Sequence, residues 1–405
     1  MTASAGKRFK LAVVASHPIQ YQAPLFRKVA KHPDIDLAVY FCSDFGVREQ
    51  RDPGFGVALK WDIPLLEGYR YSFLKNRSPF QSRWGFWRVL NPGILNELRR
   101  GHYDACLVFG YGLATNWLIF AGAAILGLPV LFLGETRHSR AGRTLRSTVK
   151  RFLLARLFQR IKAFLAIGTQ SQEFYRSHGV ADERVFLAPY SVDNDFFRAR
   201  ANELKGQEEK LKDEAGIPPG LPVILYASKM TLRKRPMDCL KAFESVQDKA
   251  VLVLVGDGEQ RPVLEAYVRD RAIRNVYFQG FKNQTELPRF YALADIFVLP
   301  SSYETWGLVV NEAMCFSLPV VTTEGVAAAQ DLLRHGENGF VYPVGDITAL
   351  ADHLRQLVSD GAMRRSMGQR SIQIISSWDH QRCVEGILKA LEYGTHGAMK
   401  QPSVV

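Results

Sequence analysis

Residues 296–323 read IFVLPSSYETWGLVVNEAMCFSLPVVTT and contain an apolar strand, a loop, a helical stretch and a second apolar strand. The pattern predicts strands at residues 296–299 and 319–322 and a helix that begins near Gly307. Two parallel strands need a crossover of this kind, and the crossover is usually a helix. The stretch therefore predicts an α/β fold in which ligands bind beyond the carboxyl ends of the strands.

The same alternation extends in both directions from this stretch. Because the chain has 405 residues, it can form two domains that each bury a core. The polar stretch at residues 201–220, ANELKGQEEKLKDEAGIPPG, marks the junction region. We predict an N-terminal domain over residues 1–195 and a C-terminal domain over residues 196–378, both doubly wound. Further strands are predicted at residues 10–15, 37–42, 105–109, 129–133, 163–167, 223–227, 251–255 and 276–279.

Composition limits the partners and the location of the chain. The net charge of +12 favours an anionic partner, such as nucleotide phosphates, acidic lipid or nucleic acid, without choosing among them. The five cysteines are scattered without a CxxC pair, which is typical of reduced thiols in a cytoplasmic protein. No apolar run is long enough to cross a bilayer, and the first residues lack a secretory signal. We expect a cytoplasmic protein, at most resting on the inner face of the cytoplasmic membrane.

Two carboxylates flank the predicted helix start in the opening stretch. Glu304 lies in the loop, and Glu312 follows eight positions later on the helix. The N–H groups of a helix N-terminus suit a phosphate, and adjacent carboxylates suit sugar or ribose hydroxyls. The pair therefore predicts a site for a phosphorylated sugar. The alternative is a solvated loop acid and an acid on a helix face.

Residues 300–323 closely resemble the E-x7-E signature of retaining GT-B glycosyltransferases of family 4, also called glycosyl transferases group 1. This family includes relatives of sucrose and glycogen synthase. Ser317 departs from the family pattern, where glycine is usual. Residues 226–243, YASKMTLRKRPMDCLKAF, are similar to the family's G-R-L-x-x-x-K-G segment, and residues 252–267 are similar to its Gly-x-Gly element. The resemblance extends over residues 221–393.

The resemblance implies a GT-B fold, with two Rossmann-like domains facing across a cleft and a last helix, residues 379–395, that packs back on the first domain. It implies that Lys229 and Lys234 hold the donor diphosphate, Glu312 the ribose and Glu304 the donor sugar. Lys229 replaces the usual arginine, so the bidentate phosphate contact is lost there. Arg233 and Arg235 either compensate or lie on a solvated loop face. Donor-binding roles also fall to Thr305, Trp306, Gly307, Leu308, Gly256, Phe281 and Lys282.

The resemblance implies retention by front-face attack, in which a donor phosphate helps to deprotonate the acceptor hydroxyl. No cofactor and no metal are expected, and the nucleoside-diphosphate sugar is the donor substrate. Asp193, Asn194 and Asp195 spell DxD, which holds a metal in other transferases. Because the triplet lies in a linker and not after a strand, we expect no metal there.

The acceptor side departs from the family pattern. His17, Gln20 and Gln22 follow the first strand, where they could bind sugar hydroxyls or phosphate, and His17 is a candidate catalytic residue. The alternative for His17 is a cap on the turn beside Pro18. Tyr111 and His138, which follow two other predicted strands, are further acceptor-side candidates.

The sequence therefore predicts a metal-independent hexosyl or other glycosyltransferase that acts in cell-surface polysaccharide or glycolipid biosynthesis on a saccharide or lipid-linked acceptor. Residues 137–162 form a basic stretch without acids, which predicts either a helix on anionic membrane or an ordinary core helix. The aromatic loop with Phe80, Trp84, Phe86 and Trp87 could contact an acceptor lipid. The alternatives are a GT-B sugar-nucleotide epimerase or hydrolase, and a basic membrane- or nucleic-acid-binding protein. The base, sugar, acceptor and linkage stay open.

Overall fold

The computed structural model describes residues 8–52, 54–80, 85–136 and 145–396. The strands alternate with helices along most of the chain, as βαβ units require. In chain order the strands are β1 (Phe9–Ala15), β2 (Ile35–Phe41), β3 (Gln50–Arg51), β4 (Ala58–Leu59), β5 (Arg70–Phe73), β6 (Ala105–Phe109), β7 (Val130–Leu133), β8 (Ala163–Ala166), β9 (Val185–Leu187), β10 (Val223–Ala227), β11 (Val251–Val255), β12 (Val276–Gly280), β13 (Ile296–Leu299), β14 (Val320–Thr323) and β15 (Gly339–Tyr342).

Three of the described helices begin after an aspartate whose side chain caps the first turn. Asp193, Asp346 and Asp360 each accept a backbone N–H of the first turn that follows, which satisfies an otherwise unpaired donor. Short 3₁₀ helices span Phe86–Arg88, Asp182–Arg184 and Leu232–Lys234. In chain order the α-helices are α1 (Gln22–Ala30), α2 (Ile94–Gly101), α3 (Ala114–Leu126), α4 (Leu145–Arg160), α5 (Thr169–Ser177), α6 (Asn194–Leu204), α7 (Glu208–Glu214), α8 (Pro236–Phe243), α9 (Arg261–Asp270), α10 (Leu287–Ala292), α11 (Leu308–Cys315), α12 (Ala327–Leu332), α13 (Ile347–Ser359), α14 (Gly361–Ile375) and α15 (His380–His396).

The chain forms two compact units. The N-terminal unit comprises residues 1–48, 64–190 and 380–405, and the C-terminal unit comprises residues 49–63 and 191–379. This division differs from the predicted boundary between residues 195 and 196. The junction lies five residues earlier, and residues 49–63 join the C-terminal unit because they hydrogen-bond to the loop after β12.

The N-terminal unit is built on a parallel sheet. Within the described residues its strand order is β5-β2-β1-β6-β7-β8-β9, with β1 between β2 and β6. Aromatic rings fill the core on one face, where Phe132 packs against Phe158, Phe164 and Tyr175. Helix α15 belongs to this unit and contacts α1, β8 and β9, with Ile387 and other apolar side chains buried.

The C-terminal unit is built on a second parallel sheet. Within the described residues its order is β12-β11-β10-β13-β14-β15, and β10 pairs with β11 on one side and β13 on the other. Strands β10, β11 and β13 have the predicted bounds, and their side chains are buried, as in parallel sheets covered on both faces. The two parallel sheets confirm the predicted two-domain α/β fold class. The order reverses at β10, so the loops after β10 and β13 lie side by side at the usual ligand position.

No helix in the described part of the chain combines the length and the apolar character that crossing a bilayer requires.

Candidate functional site

The predicted donor residues follow the strands of the C-terminal sheet at one edge. Lys229 follows β10, Gly256 follows β11, Phe281 and Lys282 follow β12, and Glu304 follows β13. Because the strands are parallel, their carboxyl ends share that edge. The fold therefore gathers at one edge residues that are up to 75 positions apart in the sequence.

Glu304 is held between two basic side chains. Its carboxylate is buried, with Lys234 Nζ 2.5 Å from Oε1 and Arg233 Nη1 3.0 Å from Oε2. Burial lowers the pKa of Lys234, and the nearby Glu304 charge acts in the opposite direction. The half-exposed Arg233 guanidinium belongs to this cluster. The sequence had left two roles open for Arg233, compensation for the missing arginine or a position on a solvated loop face. Arg235 instead pairs with Asp238 at 2.6 Å.

Backbone hydrogen bonds fix the loop that carries Glu304. The Glu304 N–H donates to Gly325 O at 2.9 Å, which ties the loop after β13 to the loop after β14. On the other side, Ser302 N–H donates to Arg233 O at 2.8 Å, and Arg233 Nη1 donates to Tyr303 O at 2.6 Å. The acid and its basic partners are thus positioned by neighbouring strands and not by one flexible loop.

The start of helix α11 explains the glycine of the motif. Gly307 has φ of 105°, and a Cβ there would lie 2.9 Å from Val326 Cγ1, so a larger residue would be strained. Helix α11 begins at Leu308, one residue after the predicted start, and the Leu308 side chain is buried. Thr305 is half-buried beside the cluster.

Trp306 packs inside the unit. Its Nε1–H donates to Asn311 Oδ1 at 2.9 Å, and its ring stacks on Trp378 with centroids 5.4 Å apart. Only 2% of the side chain is exposed. The structure therefore gives Trp306 a packing role that braces the helix start, and a donor contact could come only through its backbone.

Glu312 is buried within α11. The Tyr291 hydroxyl donates to Glu312 Oε2 at 2.7 Å. Burial raises the pKa of the Glu312 carboxyl to about 7, against the hydrogen bonds from Tyr291 and Gln284, which lower it. The structure does not place Glu312 in contact with the Glu304 cluster, and its predicted ribose contact stays a prediction.

Lys229 has partners that sequence reasoning missed. Its Nζ lies 2.8 Å from Asp52 Oδ1 and 4.5 Å from the ring centroid of Phe55. The Phe55 ring packs edge-on against Phe281 at 4.7 Å. Asp52 and Phe55 belong to residues 49–63, which the sequence assigned to the first domain.

Gly256 and Lys282 complete the edge. Gly256 has φ of 131°, and a Cβ there would lie 2.0 Å from Ser228 O, so the loop after β11 approaches the loop after β10 closely. Lys282 Nζ lies 3.8 Å from Glu286 and 5.6 Å from the ring centroid of Phe290. Gly256 thus has a steric reason to be glycine, whereas Lys282 sits among local partners.

The predicted acceptor-side residues belong to the N-terminal unit. His17 follows β1, packs edge-on against Phe45 at 5.2 Å, and its Nδ1 lies 2.9 Å from Ser16 Oγ. Gln20 and Gln22 are buried, and among the described residues Gln22 Oε1 has no hydrogen-bond partner. Tyr111 follows β6, which pairs with β1, so these residues share one edge. His138 lies outside the described residues.

The DxD triplet lies at the start of helix α6. Asp193 caps α6 by accepting Phe196 N–H at 3.1 Å, which gives the first acid of the DxD triplet a structural role. In the ranges that the structure describes, no group of three histidine, cysteine or acidic side chains could hold a metal ion.

Part of the chain is similar to a known protein family. Residues 207–374 match the family model described as glycosyl transferases group 1. The matched residues lie within the C-terminal unit. The N-acetyl-alpha-D-glucosaminyl L-malate synthase of Bacillus anthracis is 33% identical over 165 residues, which are 40% of this chain and 42% of that protein. A D-inositol 3-phosphate glycosyltransferase of Xylanimonas cellulosilytica is 28% identical over 217 residues, or 52% of each chain. The chain spans about half the length of the curated relatives it matches.

Solved structures share the fold over nearly the whole chain. A glycosyltransferase from Rickettsia africae superposes with a TM-score of 0.74 over 98% of this chain and 100% of that one, at 14% identity. Anabaena HepE in complex with UDP superposes with a TM-score of 0.72 over 95% of this chain and 99% of that one, at 19% identity. At this identity the likeness establishes the GT-B fold.

The family match includes the loops after β10, β11, β12 and β13 and excludes residues 49–63. The group 1 pattern therefore covers Glu304 and Lys234 and gives no indication of Asp52. The sequence does contain a pattern that is typical of a hairpin, because residues 50–51 and 58–59 lie on either side of the Pro-Gly pair at positions 53 and 54. Nothing in that signal specifies which domain the hairpin joins.

Proposed function

We propose that this protein is a retaining glycosyltransferase that moves a sugar from a nucleoside-diphosphate sugar to an acceptor hydroxyl. The observation that carries the proposal is the buried Glu304 carboxylate between Lys234 and Arg233, at the edge where β10 and β13 meet. A departing diphosphate gains negative charge and needs fixed positive charge nearby. A carboxylate beside that charge suits the hydroxyls of the transferred sugar.

In the proposed mechanism Lys229 and Lys234 hold the diphosphate, and Arg233 adds charge at the same place. Glu304 orients the donor sugar, and Glu312 is proposed to meet the ribose. The acceptor hydroxyl attacks the anomeric carbon from the face on which the bond to the diphosphate breaks, and the departing phosphate takes the hydroxyl proton. Because attack and departure share one face, the sugar keeps its anomeric configuration. Because side chains supply the positive charge, we expect turnover to persist in excess EDTA, with no cofactor added.

This site and the relatives support the proposed partners. HepE was solved with UDP and with UDP-glucose, and a relative from Rhizobium meliloti is a lipopolysaccharide core biosynthesis glycosyltransferase. We propose a hexosyl donor, with UDP-sugars to be tested first, and a saccharide or lipid-linked acceptor. The proposed setting is cell-surface polysaccharide or glycolipid biosynthesis at the cytoplasmic side of the membrane. His17, Gln20, Gln22 and Tyr111 are the proposed acceptor-side residues.

Thermal stabilisation tests the donor site. UDP, GDP, ADP and dTDP, with their sugars, are added to the wild type and to Glu312→Ala. A ligand that binds only the folded state raises the melting temperature. One base series that stabilises the wild type and not Glu312→Ala supports the proposed site and names the nucleotide. No stabilisation of the wild type by any of them contradicts the proposal.

The role of Glu304 is tested by separating turnover from binding. We expect Glu304→Gln to lower turnover by roughly 100-fold or more while nucleotide affinity changes little, as for a group that acts in the transition state. Glu265→Gln removes an acid that pairs with Arg261 on α9 and serves as the control. Lost nucleotide affinity with turnover spared would contradict the assignment. Donor consumption without any acceptor would favour the epimerase or hydrolase alternative.

A membrane-contacting surface is a second proposal, on helices α3 and α4. Leu154 and Phe158 of α4 are buried, whereas Val149, Phe152 and Leu153 are each about half exposed. Ile125 and Leu126 at the end of α3 are exposed too, and a cavity of about 390 Å³ lies between the two helices. Exposed apolar side chains grouped in this way mark an interaction surface.

The charge around this surface favours an anionic membrane. Lys150, Arg151, Arg156 and Arg160 are exposed on α4. Each basic side chain near an anionic membrane contributes about 1 kcal/mol. The exposed Phe80, Phe86 and Trp87 belong to the same unit and could contact a lipid as well, and Trp84 lies outside the described residues.

Liposome sedimentation tests this surface. We expect binding to phosphatidylglycerol vesicles and not to phosphatidylcholine vesicles, with loss of binding in Lys150→Gln/Arg151→Gln and in Phe152→Ser/Leu153→Ser. Arg99→Gln/Arg100→Gln on α2 removes the same charge from exposed positions elsewhere in the unit and should still bind. No binding by the wild type at low salt would contradict the proposal. A strongly salt-dependent shift of DNA or RNA would favour the nucleic-acid alternative.

A further inference from the structure

Residues 49–63, called the 49–63 hairpin here after the β3–β4 pairing, place an acid against the basic loop that follows β10. Asp52 Oδ1 and Oδ2 lie 2.8 Å and 3.1 Å from Lys229 Nζ. The Gly54 and Phe55 N–H groups donate to the same Oδ1 at 2.7 Å and 2.9 Å, which fixes the carboxylate. The Asp52 side chain is buried while Lys229 is about one-third exposed. The Lys229 ammonium is therefore occupied by a positioned carboxylate.

The hairpin also places an aromatic ring beside the same lysine. Lys229 Nζ lies 4.5 Å from the Phe55 ring centroid, within cation–π range. The Phe55 ring packs edge-on against Phe281, which has an expected donor-binding role. The hairpin therefore contacts two of the residues to which the donor site is assigned.

The hairpin is attached to the C-terminal unit at other points. Asn283 Nδ2 donates to Lys60 O at 2.8 Å, Thr285 N–H donates to the Asp62 carboxylate at 3.2 Å, and Leu59 is buried. These contacts do not involve Asp52. The pair between Asp52 and Lys229 can therefore break while the hairpin stays in place.

We propose that Asp52 is a specificity-determining residue of the donor site, because its carboxylate holds Lys229 and a bound diphosphate must displace it. The inference rests on the proposed function and deepens it. A phosphate that reaches Lys229 meets the Asp52 charge, and two like charges around one ammonium repel each other. An uncharged nucleoside does not need Lys229 and avoids this competition. The pair therefore lowers the affinity for phosphorylated ligands and leaves that for an uncharged nucleoside unchanged, so it limits how strongly the site prefers phosphates.

Asp52→Asn tests the proposal, because asparagine keeps the oxygen that accepts from Gly54 and Phe55 and loses the charge. Affinities are measured by calorimetry for the nucleoside diphosphate that stabilises the wild type, its monophosphate and its nucleoside. We expect the affinities for both phosphates to rise roughly two- to fivefold, as removal of a competing ion pair allows, and that for the nucleoside to stay unchanged. Asp62→Asn, on the same hairpin but paired with Thr285, should leave all three affinities unchanged.

A double-mutant cycle isolates the pair. In a Lys229→Met background, Asp52→Asn should raise phosphate affinity by less than it does in the wild type, because the part of the effect that comes from releasing the Lys229 ammonium is lost. A fall in diphosphate affinity in Asp52→Asn, or the same change for all three ligands, would overturn the proposal. If Asp52→Asn does not fold, the hydrogen-exchange rates of the Gly54 and Phe55 amides are measured in the wild type with and without the diphosphate. Equal rates under the two conditions would overturn the proposal. If no nucleotide binds either protein, the proposed function fails first.

Discussion

The substitution Glu312→Gln should stabilise the C-terminal unit, and more so as the pH rises. Glu312 is 2% exposed, and Tyr291 donates to its carboxylate. Glutamine has nearly the same volume and can accept the same hydrogen bond, but it does not ionise. The substitution therefore removes one titration from the folded protein and leaves the packing of α11 in place.

The magnitude follows from the two pKa values of Glu312. Burial raises the pKa from 4.5 to about 7 in the folded protein. The folded state then holds the proton more tightly than the unfolded chain, so this stabilisation is complete below pH 4.5 and is lost as the pH rises through 7. One pKa unit corresponds to about 1.4 kcal/mol, so we expect the advantage of Glu312→Gln to grow by about 2–3 kcal/mol between pH 5 and pH 8.5.

Urea unfolding at several pH values measures this difference. Because the chain has two units, a single transition cannot be assumed, and the signal must report on the C-terminal unit. The near-ultraviolet circular dichroism of the stacked Trp306 and Trp378 rings does so. Glu337→Gln, an exposed acid that pairs with Arg370, should give a nearly constant difference from the wild type. A constant difference for Glu312→Gln as well would refute the reasoning.

Three further substitutions or deletions test the backbone and the domain organisation. Ser317 has φ of 56°, so Ser317→Gly should raise the free energy of unfolding by about 0.5–1 kcal/mol, measured by urea unfolding. Gly256→Ala should lower the melting temperature and the nucleotide affinity because its Cβ would lie 2.0 Å from Ser228 O, whereas Gly220→Ala, with positive φ and open space, should cost less and spare affinity. Deletion of residues 380–405 should lower the melting temperature of the N-terminal unit and not that of the C-terminal unit, since Val384, Ile387 and Leu391 are buried in the former, and differential scanning calorimetry would separate the two transitions.

Most of the fold can be predicted from local patterns in the sequence. Apolar runs such as residues 223–227 and 251–255 become buried parallel strands with the predicted bounds. The position of Ser317 also has a local explanation, because the residue lies in the left-handed region where the family has glycine. Strand positions and helix starts depend on neighbouring residues, so one sequence suffices to predict them. The close approaches at Gly256 and Gly307 involve residues that are distant in the sequence.

The composition of the site depends on contacts that a sequence does not show. Asp52 and Lys229 are 177 positions apart, and no periodicity links them. Residue type alone also leaves the environment open, since Trp306 and Glu312 are both buried although the motif presents them as site residues. The sequence allows either a solvated or a functional Arg233, and the ion pair with Glu304 favours the functional role.

Charge balance explains why the site needs two acids as well as three bases. Burial lowers the pKa of Lys234 most, and the charges of Arg233 and Lys229 lower it further. The three basic side chains therefore repel one another. Glu304 and Asp52 offset this repulsion and hold the basic side chains in position. Glu304 is fixed by backbone hydrogen bonds on both sides of its loop, whereas Asp52 lies on a hairpin with attachments of its own. Glu304 is therefore the lasting partner of the cluster, and Asp52 is the one that a diphosphate can replace.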